Sequence, residues 1–527
     1  MNQWLYIIWC MVLTCASLPL GAQQPTSPYP EITLARNDDG TDLKATFISF
    51  ASGLKSSMFT EGLPYLVLED NDGVIRIYDL TTLKTMSEIK PKEGTFAQVT
   101  RDRYLVYKNS SFLKADRVPT VCDFNNQKVW TSRYDIVLSD RLNNVAVCYQ
   151  LSMSKGWSQG NMVGYNLSNG EELWRVTIPQ HRHSAWCNVY HPSGPPYYYL
   201  MADSLVRLNI LTGDTVRHAF KAAVDEPMKS VFSIVKARSF NSGAWTREAV
   251  HSYSSGIDAR VLTGTHSGWV VNGDTLYVAD ADHLYAFDRD LKPLWQTALP
   301  DGVGAFSQLR EDGGRLMLVG FGEAFQNGYI GRCGKPFAAY YDKSSGRQLA
   351  FQLVNIKEKV TGGCIVPGRV YWEDDKGYFF TNEGDTTATR IAWKPKSLRE
   401  PLPNHPDRII CDTVGVLRNG KLELITTDRN QLVVELYGKD VYLIQTDGTA
   451  QMIKAEDVYF HDLYDLYSTN AEPSCHYVRI DPVTHRVKQG FTTTGKVSVN
   501  KSGDIFIRIK NGLGIVRNHQ PNYQGNK

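Results

Sequence analysis

Apolar positions along this chain come in short runs, many of them alternating with polar ones, and clusters of turn-forming residues interrupt them. In "DTLYVADADHLYAFDRDLKPLWQT", Asp274 to Thr297, the runs Leu276–Ala279 and Leu284–Phe287 are separated by "DADH" and followed by "DRDLK". Short β-favouring runs between Asp, Asn and Gly clusters predict antiparallel strands joined by tight turns. Related phrases recur as "CDFNNQKVWTS" at Cys122–Ser132 and "GYNLSNGEELWRV" at Gly164–Val176, each closing its second arm on tryptophan. Aligned on the residue that begins the turn, the copies fall at Asp79, Asp123, Asn166, Asn209, Asp288 and Asp342, at intervals of 44, 43, 43, 79 and 54.

The fourth interval is about two periods and predicts a degenerate copy over Lys221–Thr265; the fifth is one period with an insertion. Weaker copies follow in "GYFFTNEGDTTATRIAW", "DVYLIQTDGTAQMI" and "YVRIDPVTHRVKQGF". A period of about 40 residues made only of strand signals predicts an all-β fold, a β-propeller of four-stranded blades. The spacing predicts about eight blades, with seven as the alternative, in a single closed domain over residues 60–517. Residues 23–59 lead into the first blade and 518–527 form a polar tail. Trp130, Trp174 and Trp295 are the expected plugs between neighbouring blades.

"NGEELWR" resembles the pyrroloquinoline-quinone-like (quinoprotein-like) repeat, whose pattern runs Tyr-Ala-Asp, an aliphatic residue, Thr-Gly-Lys, two variable positions and Trp. The match is sharp around Trp130, Trp174 and Trp295; elsewhere the tryptophan is replaced, as by Val216. The resemblance implies the propeller fold. The quinone-dependent members carry adjacent cysteines and a Glu, Asn and Asp calcium site, whereas here no Cys-Cys occurs and nothing aligns with those acids. The expectation is that no cofactor is bound. Exported propellers and barrel-assembly lipoproteins that look similar act as interaction scaffolds. A scaffold in the cell envelope is therefore expected, with another envelope protein or a glycan as partner. The alternative is an enzyme with a site at the channel mouth, a hydrolase or a quinone-dependent oxidoreductase.

Charge changes little. The 57 Lys and Arg nearly cancel 55 Asp and Glu, and without a basic run there is no footprint for nucleic acid. The N-terminus matters more. Trp4–Leu20 is almost wholly apolar and "LGAQQPTSPYP" follows, the pattern of a signal peptide (residues 1–22) cleaved after Ala22, although the n-region "MNQ" lacks Lys and Arg and leaves a retained anchor open. No later run reaches the roughly 18 apolar residues of a membrane span. The expected location is the periplasm or the outer surface of a bacterial envelope. Beyond the leader stand Cys122, Cys148, Cys187, Cys333, Cys364, Cys411 and Cys475. Their odd number leaves at least one thiol, and Cys333 with Cys364, both in Gly-rich stretches, is the pairing favoured by position.

Chain direction locates a binding face. In an antiparallel blade with strands A to D, the B–C turn and the D-to-A crossover share one end, and the A–B and C–D turns share the other. The C–D turns "LSNGEE", "DRDLKP" and "DKSSGR" are short and uniform. Two B–C segments, Gln150–Asn161 and Gly322–Pro336, read as long Gly-rich loops, which is where binding usually resides. They bring Trp157, Phe325 and Tyr329. The crossover "IPQHRHSAWCNVYHPSG" adds Trp186 and, at odd positions, His181, His183, Cys187 and His191. An extended His-x-His with a cysteine suits a borderline metal, but a solvated polar loop is the favoured reading and the metal stays unknown. "EDNDGVIRIYD" lacks the late bidentate Glu of a calcium loop and reads as a hairpin turn. "YFHDLYDLYSTNAEPSC", Tyr459–Cys475, places Asp462 and Asp465 at helical spacing and reads as a short helix or long loop.

Overall fold

The structure, a computed structural model, describes residues 28–518 apart from 60–61, 91–94, 108–118, 133–134, 151–156, 182–186, 191–195, 202–203, 221–235, 242–243, 250–266, 281, 301–306, 327–328, 356–359, 361, 375–376, 393–406, 411–412, 426–430, 437–439 and 470–472. The apolar leader and the polar tail from residue 519 lie outside the described residues. The described chain is all-β, with one 3-10 turn at Ala455–Asp457 and no α-helix.

Contact density divides the chain into two compact units, where the repeat led to the expectation of one closed domain. Residues 28–35, 42–90 and 495–518 form the first, and residues 36–41 and 95–494 the second. In the first unit, strands from the two ends of the described chain pair. Thr46 to Ser49 of the strand Asp42–Ser49 pair with Ile515 to Gly512, so an N-terminal strand completes the sheet made by the C-terminal strands Lys496–Val499, Ile505–Ile509 and Gly512–Val516. This sheet shares one core with the four strands of residues 54–89, around Ile48, Leu66, Leu68, Phe506 and Leu513.

In the second unit, antiparallel four-stranded sheets follow one another over residues 95–131, 135–181, 187–219, 270–298, 307–353, 362–390 and 407–453; four more antiparallel strands over 458–493 belong to a larger sheet, in which Val414 to Val416 pair with Phe460 to Val458. Strands A to D lie in order in each, and the hairpin Val414–Arg418/Lys421–Ile425 is inserted between A and B of the 407–453 sheet. The middle strands are buried almost throughout, as in Tyr197–Met201, His283–Phe287 and Gly377–Asn382. The fourth strands Thr215–Ala219, Pro293–Ala298 and Ala450–Ile453 are largely exposed. Such a gradient means that both faces of a sheet are covered at its centre. Each Val, Leu or Phe placed there contributes about 1.5–3 kcal/mol.

Successive sheets cover each other. Val147 and Trp174 pack with Leu200 and Val206; Leu284 and Leu299 with Leu309 and Phe337; Tyr371 and Phe380 with Leu432 and Val434. One adjacency corrects the repeat count. Tyr199, Met201 and Leu205 of the 187–219 sheet share a core with Val278, Tyr285 and Phe287 of the 270–298 sheet. These two sheets are direct neighbours, so the interval of 79 is one repeat plus an insertion, not two repeats. Within that insertion Lys236–Asn241 and Ala244–Ala249 form a separate two-stranded hairpin.

The segment read as a helix or loop at Tyr459–Cys475 is instead a hairpin in its described part, Val458–Leu463 against Leu466–Thr469. The chain reverses at Tyr464, whose φ of 56° is left-handed and cannot continue a helix.

Candidate functional site: the two ends of the sheets

The C–D end is built from one repeated device. The residue that begins each turn folds its side-chain oxygen over the next amides: Asn209 accepts from Leu211 at 3.0 Å, Asp288 from Asp290 at 2.8 Å and Lys292 at 2.9 Å, and Asp342 from Ser344 at 3.1 Å and Ser345 at 2.9 Å. Asp79, Asp123 and Asn166 do the same. This is why Asp or Asn recurs at that position.

The tryptophans engage the same turns on the following sheet. The indole N–H of Trp130 donates to the Leu167 carbonyl at 3.0 Å, that of Trp174 to Ile210 at 2.8 Å, and that of Trp295 to Lys343 at 3.3 Å. Each acceptor is one residue past the turn-opening Asn or Asp. Three residues further on lies Gly170, Gly213 or Gly346, with positive φ, and a Cβ there would collide with the indole; at Gly213 it would lie 2.7 Å from the Trp174 ring. Where the preceding sheet carries Val216 instead of tryptophan, the left-handed position is Leu291, whose side chain packs in a core with Val216 at its edge. That junction is held differently: the Tyr199 hydroxyl donates to the Arg289 carbonyl at 2.7 Å, and Arg207 pairs with Asp290.

These bonds run from the 95–131 sheet through the 307–353 sheet and always enter the next C–D turn. They set the C–D turns of those sheets at a common end, and the B–C turns and crossovers at the opposite one. At that opposite end, the described parts of both segments read as loops, 150 and 157–161 of the first and 322–326 and 329–336 of the second, are strand, and 151–156 lie outside the described residues. Trp157–Asn166 pairs with Glu172–His181 along its length, while Val145–Gln150 flanks it only as far as Asn161. Residues 157–160 and 178–181 thus form a two-stranded ribbon beyond the sheet, with Trp157 opposite His181. Arg315–Gln326 and Tyr329–Asp342 likewise pair to the tip, interrupted by an irregularity between Phe321 and Glu323. Phe325 is opposite Ile330 and Gln326 opposite Tyr329, and residues 327–328 lie outside the described residues.

Cys187 opens strand A of the 187–219 sheet, opposite Met201. His183, Trp186 and His191 lie outside the described residues. Register therefore brings Trp157 to His181, and Phe325 and Tyr329 to neighbouring rungs of one tip. Among the described residues no strand register links one ribbon to the other.

Three polar arrangements at B–C ends escaped the sequence reading. Buried Asp280 accepts from the amides of Asp282 (2.9 Å) and His283 (2.8 Å) and from the Tyr285 hydroxyl (3.0 Å). His218, from the neighbouring sheet, has its ring centroid 4.5 Å from that of Tyr285 and 4.8 Å from that of Phe287; burial lowers its pKa, against the pull of Asp280. Asp374, fully buried, is paired with Arg390. At the start of strand C in the 458–493 sheet, His476 Nε2 lies 2.8 Å from the Asp38 carboxylate and Nδ1 faces the Tyr459 hydroxyl. Burial pushes the Tyr459 phenol up to about 12, so it stays protonated beside the ring. Tyr285 is five residues from Asp280, but Asp374 and Arg390 are 16 apart and Tyr459 and His476 are 17 apart, so no local motif announces the last two arrangements. The carboxylate of Asp70, in the turn with a calcium-loop flavour, accepts from the amides of Asp72 and Val74 and from Arg76, the bonding of a hairpin turn.

No family model and no curated protein matches the chain. Among solved structures it is similar to BamB from Moraxella catarrhalis, with 10% identity, 77% of this chain and 99% of that one covered, and a TM-score of 0.29. Saccharomyces cerevisiae Sqt1 gives 9%, 77%, 97% and 0.29, and the computationally designed Ika8 protein gives 10%, 77%, 97% and 0.26. At these TM-scores the similarities carry no argument, and the architecture rests on register and packing. Among the described residues no helix is long and apolar enough to cross a membrane.

Proposed function

We propose that the chain is an exported scaffold of β-propeller type whose B–C end captures a partner, a protein or glycan of the cell envelope. The observation that carries this reading is the difference between the two ends of the sheets. At the C–D end the turns are short and are consumed by contacts to the preceding sheet. At the B–C end two ribbons extend beyond sheets whose centres are buried on both faces. Paired strands on a packed support present side chains with less entropy to lose on binding than a loop has. The apolar Trp4–Leu20 run supports export, as does the disulfide at Cys364, since such bonds persist in oxidising compartments.

The test is capture from a native envelope extract by the wild-type chain and by a variant that lacks residues 323–326 and 329–332, four from each paired strand, but keeps residues 327 and 328. The scaffold reading predicts that a defined partner is lost while the urea midpoint is retained. Equal capture by both proteins would overturn it, as would a variant that captures normally but unfolds early.

A further inference from the structure

The last strand of the 407–453 sheet, Ala450–Ile453, has a neighbouring strand on one side only. Which of its backbone groups face the open edge follows from the turn before it. The Gly448 amide donates to the Gln445 carbonyl at 2.9 Å and the Gln445 amide to the Thr449 carbonyl at 2.8 Å, so residues 445 and 449 are a bonded pair. Bonded and unbonded pairs alternate along an antiparallel ladder. The register sets Ala450 opposite Ile444, Gln451 opposite Leu443, Met452 opposite Tyr442 and Ile453 opposite Val441. The backbone of Gln451 and Ile453 therefore turns inward, and the N–H and C=O of Ala450 and Met452 turn outward. Among the described residues no strand or turn hydrogen-bonds to them there.

This edge borders a cavity of about 510 Å³. Gln451, Met452 and Ile453 line one side, and Val416, Leu417 and Arg418 of the inserted hairpin line another. Ligand clefts typically measure about 300–1,000 Å³. Sheet edges are ordinarily blunted by charge or proline, and Lys128, Pro293 and Arg390 stand on the last strands of three other sheets. Ala-Gln-Met-Ile carries neither, and its Met452 is 50% exposed. Arg418, Lys454, Glu456 and Asp457 bring two charges of each sign to the cavity, so charge does not select the occupant. Hydrogen bonding does. A donor and an acceptor at every second residue, about 7 Å apart along a strand, match the backbone of an extended polypeptide.

We propose that this edge takes up an extended segment of a partner protein as a fifth strand of the 407–453 sheet, by strand addition. The segment bonds to the backbone of Ala450 and Met452 and sets an apolar residue across from the Met452 side chain. The site is separate from the two ribbons and does not rest on what they bind.

The test selects random peptides displayed on phage against the full chain and uses the most enriched one, synthesised with a fluorescent label, as the probe. Met452→Pro removes an outward N–H and no bond of the sheet, and proline is tolerated at such edge positions. It should weaken the probe at least about tenfold with the urea midpoint retained. Met452→Ala keeps the backbone donor and should weaken the probe less. Methylating the peptide's amides at alternate residues should abolish binding to the wild-type chain in one alternation and spare it in the other. Deletion of residues 323–326 and 329–332 should leave probe binding unchanged. Equal affinity for the wild type and Met452→Pro, equal effects of the two methylation patterns, or loss of binding with the ribbon deletion would each overturn the site. So would failure to enrich any peptide, or a dimer in sedimentation that Met452→Pro abolishes, which would give the edge to a second copy.

Discussion

Replacing Gly213 by alanine tests the tryptophan–glycine junction quantitatively. Gly213 has φ +79°, and its missing Cβ would lie 2.7 Å from the Trp174 ring. Two penalties add. A left-handed alanine costs about 1–2 kcal/mol, and forcing an atom into a packed contact costs about 1–3 kcal/mol more, so Gly213→Ala should lose about 2–5 kcal/mol. Gly273→Ala separates the two penalties. Its φ is +57° and nothing lies within 4 Å of the added atom, so only the backbone cost of about 1–2 kcal/mol applies. Trp174→Ala, which removes a side chain that is 8% exposed, should cost about 3–5 kcal/mol. It also makes room for the new methyl group. In that background Gly213→Ala should cost only its backbone term, and the double variant should be about 1–3 kcal/mol more stable than the sum of the singles. The assay is urea unfolding followed by circular dichroism. Additivity within about 0.5 kcal/mol would refute the contact, and so would equal losses for Gly213→Ala and Gly273→Ala.

His218 should make stability pH-dependent. Its pKa in the folded chain is lowered from 6.5, chiefly by burial beside Tyr285, Phe287 and Phe220, with Asp280 opposing and His283 adding to the shift. The folded state thus binds fewer protons than the unfolded one, so this contribution is complete above about pH 6.5 and is lost as pH falls toward the folded value. The urea midpoint should drop between pH 7.5 and 5.5, and less so in His218→Phe; an equal drop in both would count against it. The Asp342 carboxyl is held down to about 2 by the hydroxyls of Ser344 and Ser345 and the Ser345 amide, so carbon-detected titration should find it still ionised at pH 3. Its stabilising effect is present above about pH 4 and is lost toward pH 2; a titration midpoint near 4 would contradict the turn geometry. Trp174→Phe should cost about 1–3 kcal/mol by leaving the Ile210 carbonyl without its donor, while Leu173→Ala, at a 42% exposed position, should stay within about 0.5 kcal/mol. Equal losses at the two positions would deny the inter-sheet bond.

What could be read from sequence was what is local. Asp or Asn opening a turn and tryptophan closing the next arm act within a few residues of each other, so their recurrence marked the C–D hairpins directly. The ribbons were local too, but glycine and exposed-looking aromatics outweighed the strand signal around Phe325 and Tyr329. The spacing of Asp462 and Asp465 suited a helix, yet Tyr464 adopts a left-handed turn that no period detects. Counting intervals failed at 221–265 because a period measures chain length, whereas adjacency is set by which faces pack, here Tyr199 and Leu205 against Tyr285 and Phe287. His218 and Asp280 are brought together only by that packing.

The central claim, that binding belongs to the B–C end, is tested most directly by site-specific photo-crosslinking in the native envelope. A photoreactive phenylalanine analogue would replace Gln159 or Tyr329 in the ribbons, and Asn169 or Ser345 in C–D turns, where both residues are exposed. The account predicts a discrete crosslinked partner from positions 159 and 329 and none from 169 and 345. A partner crosslinked from 169 or 345, with none from the ribbons, would contradict it.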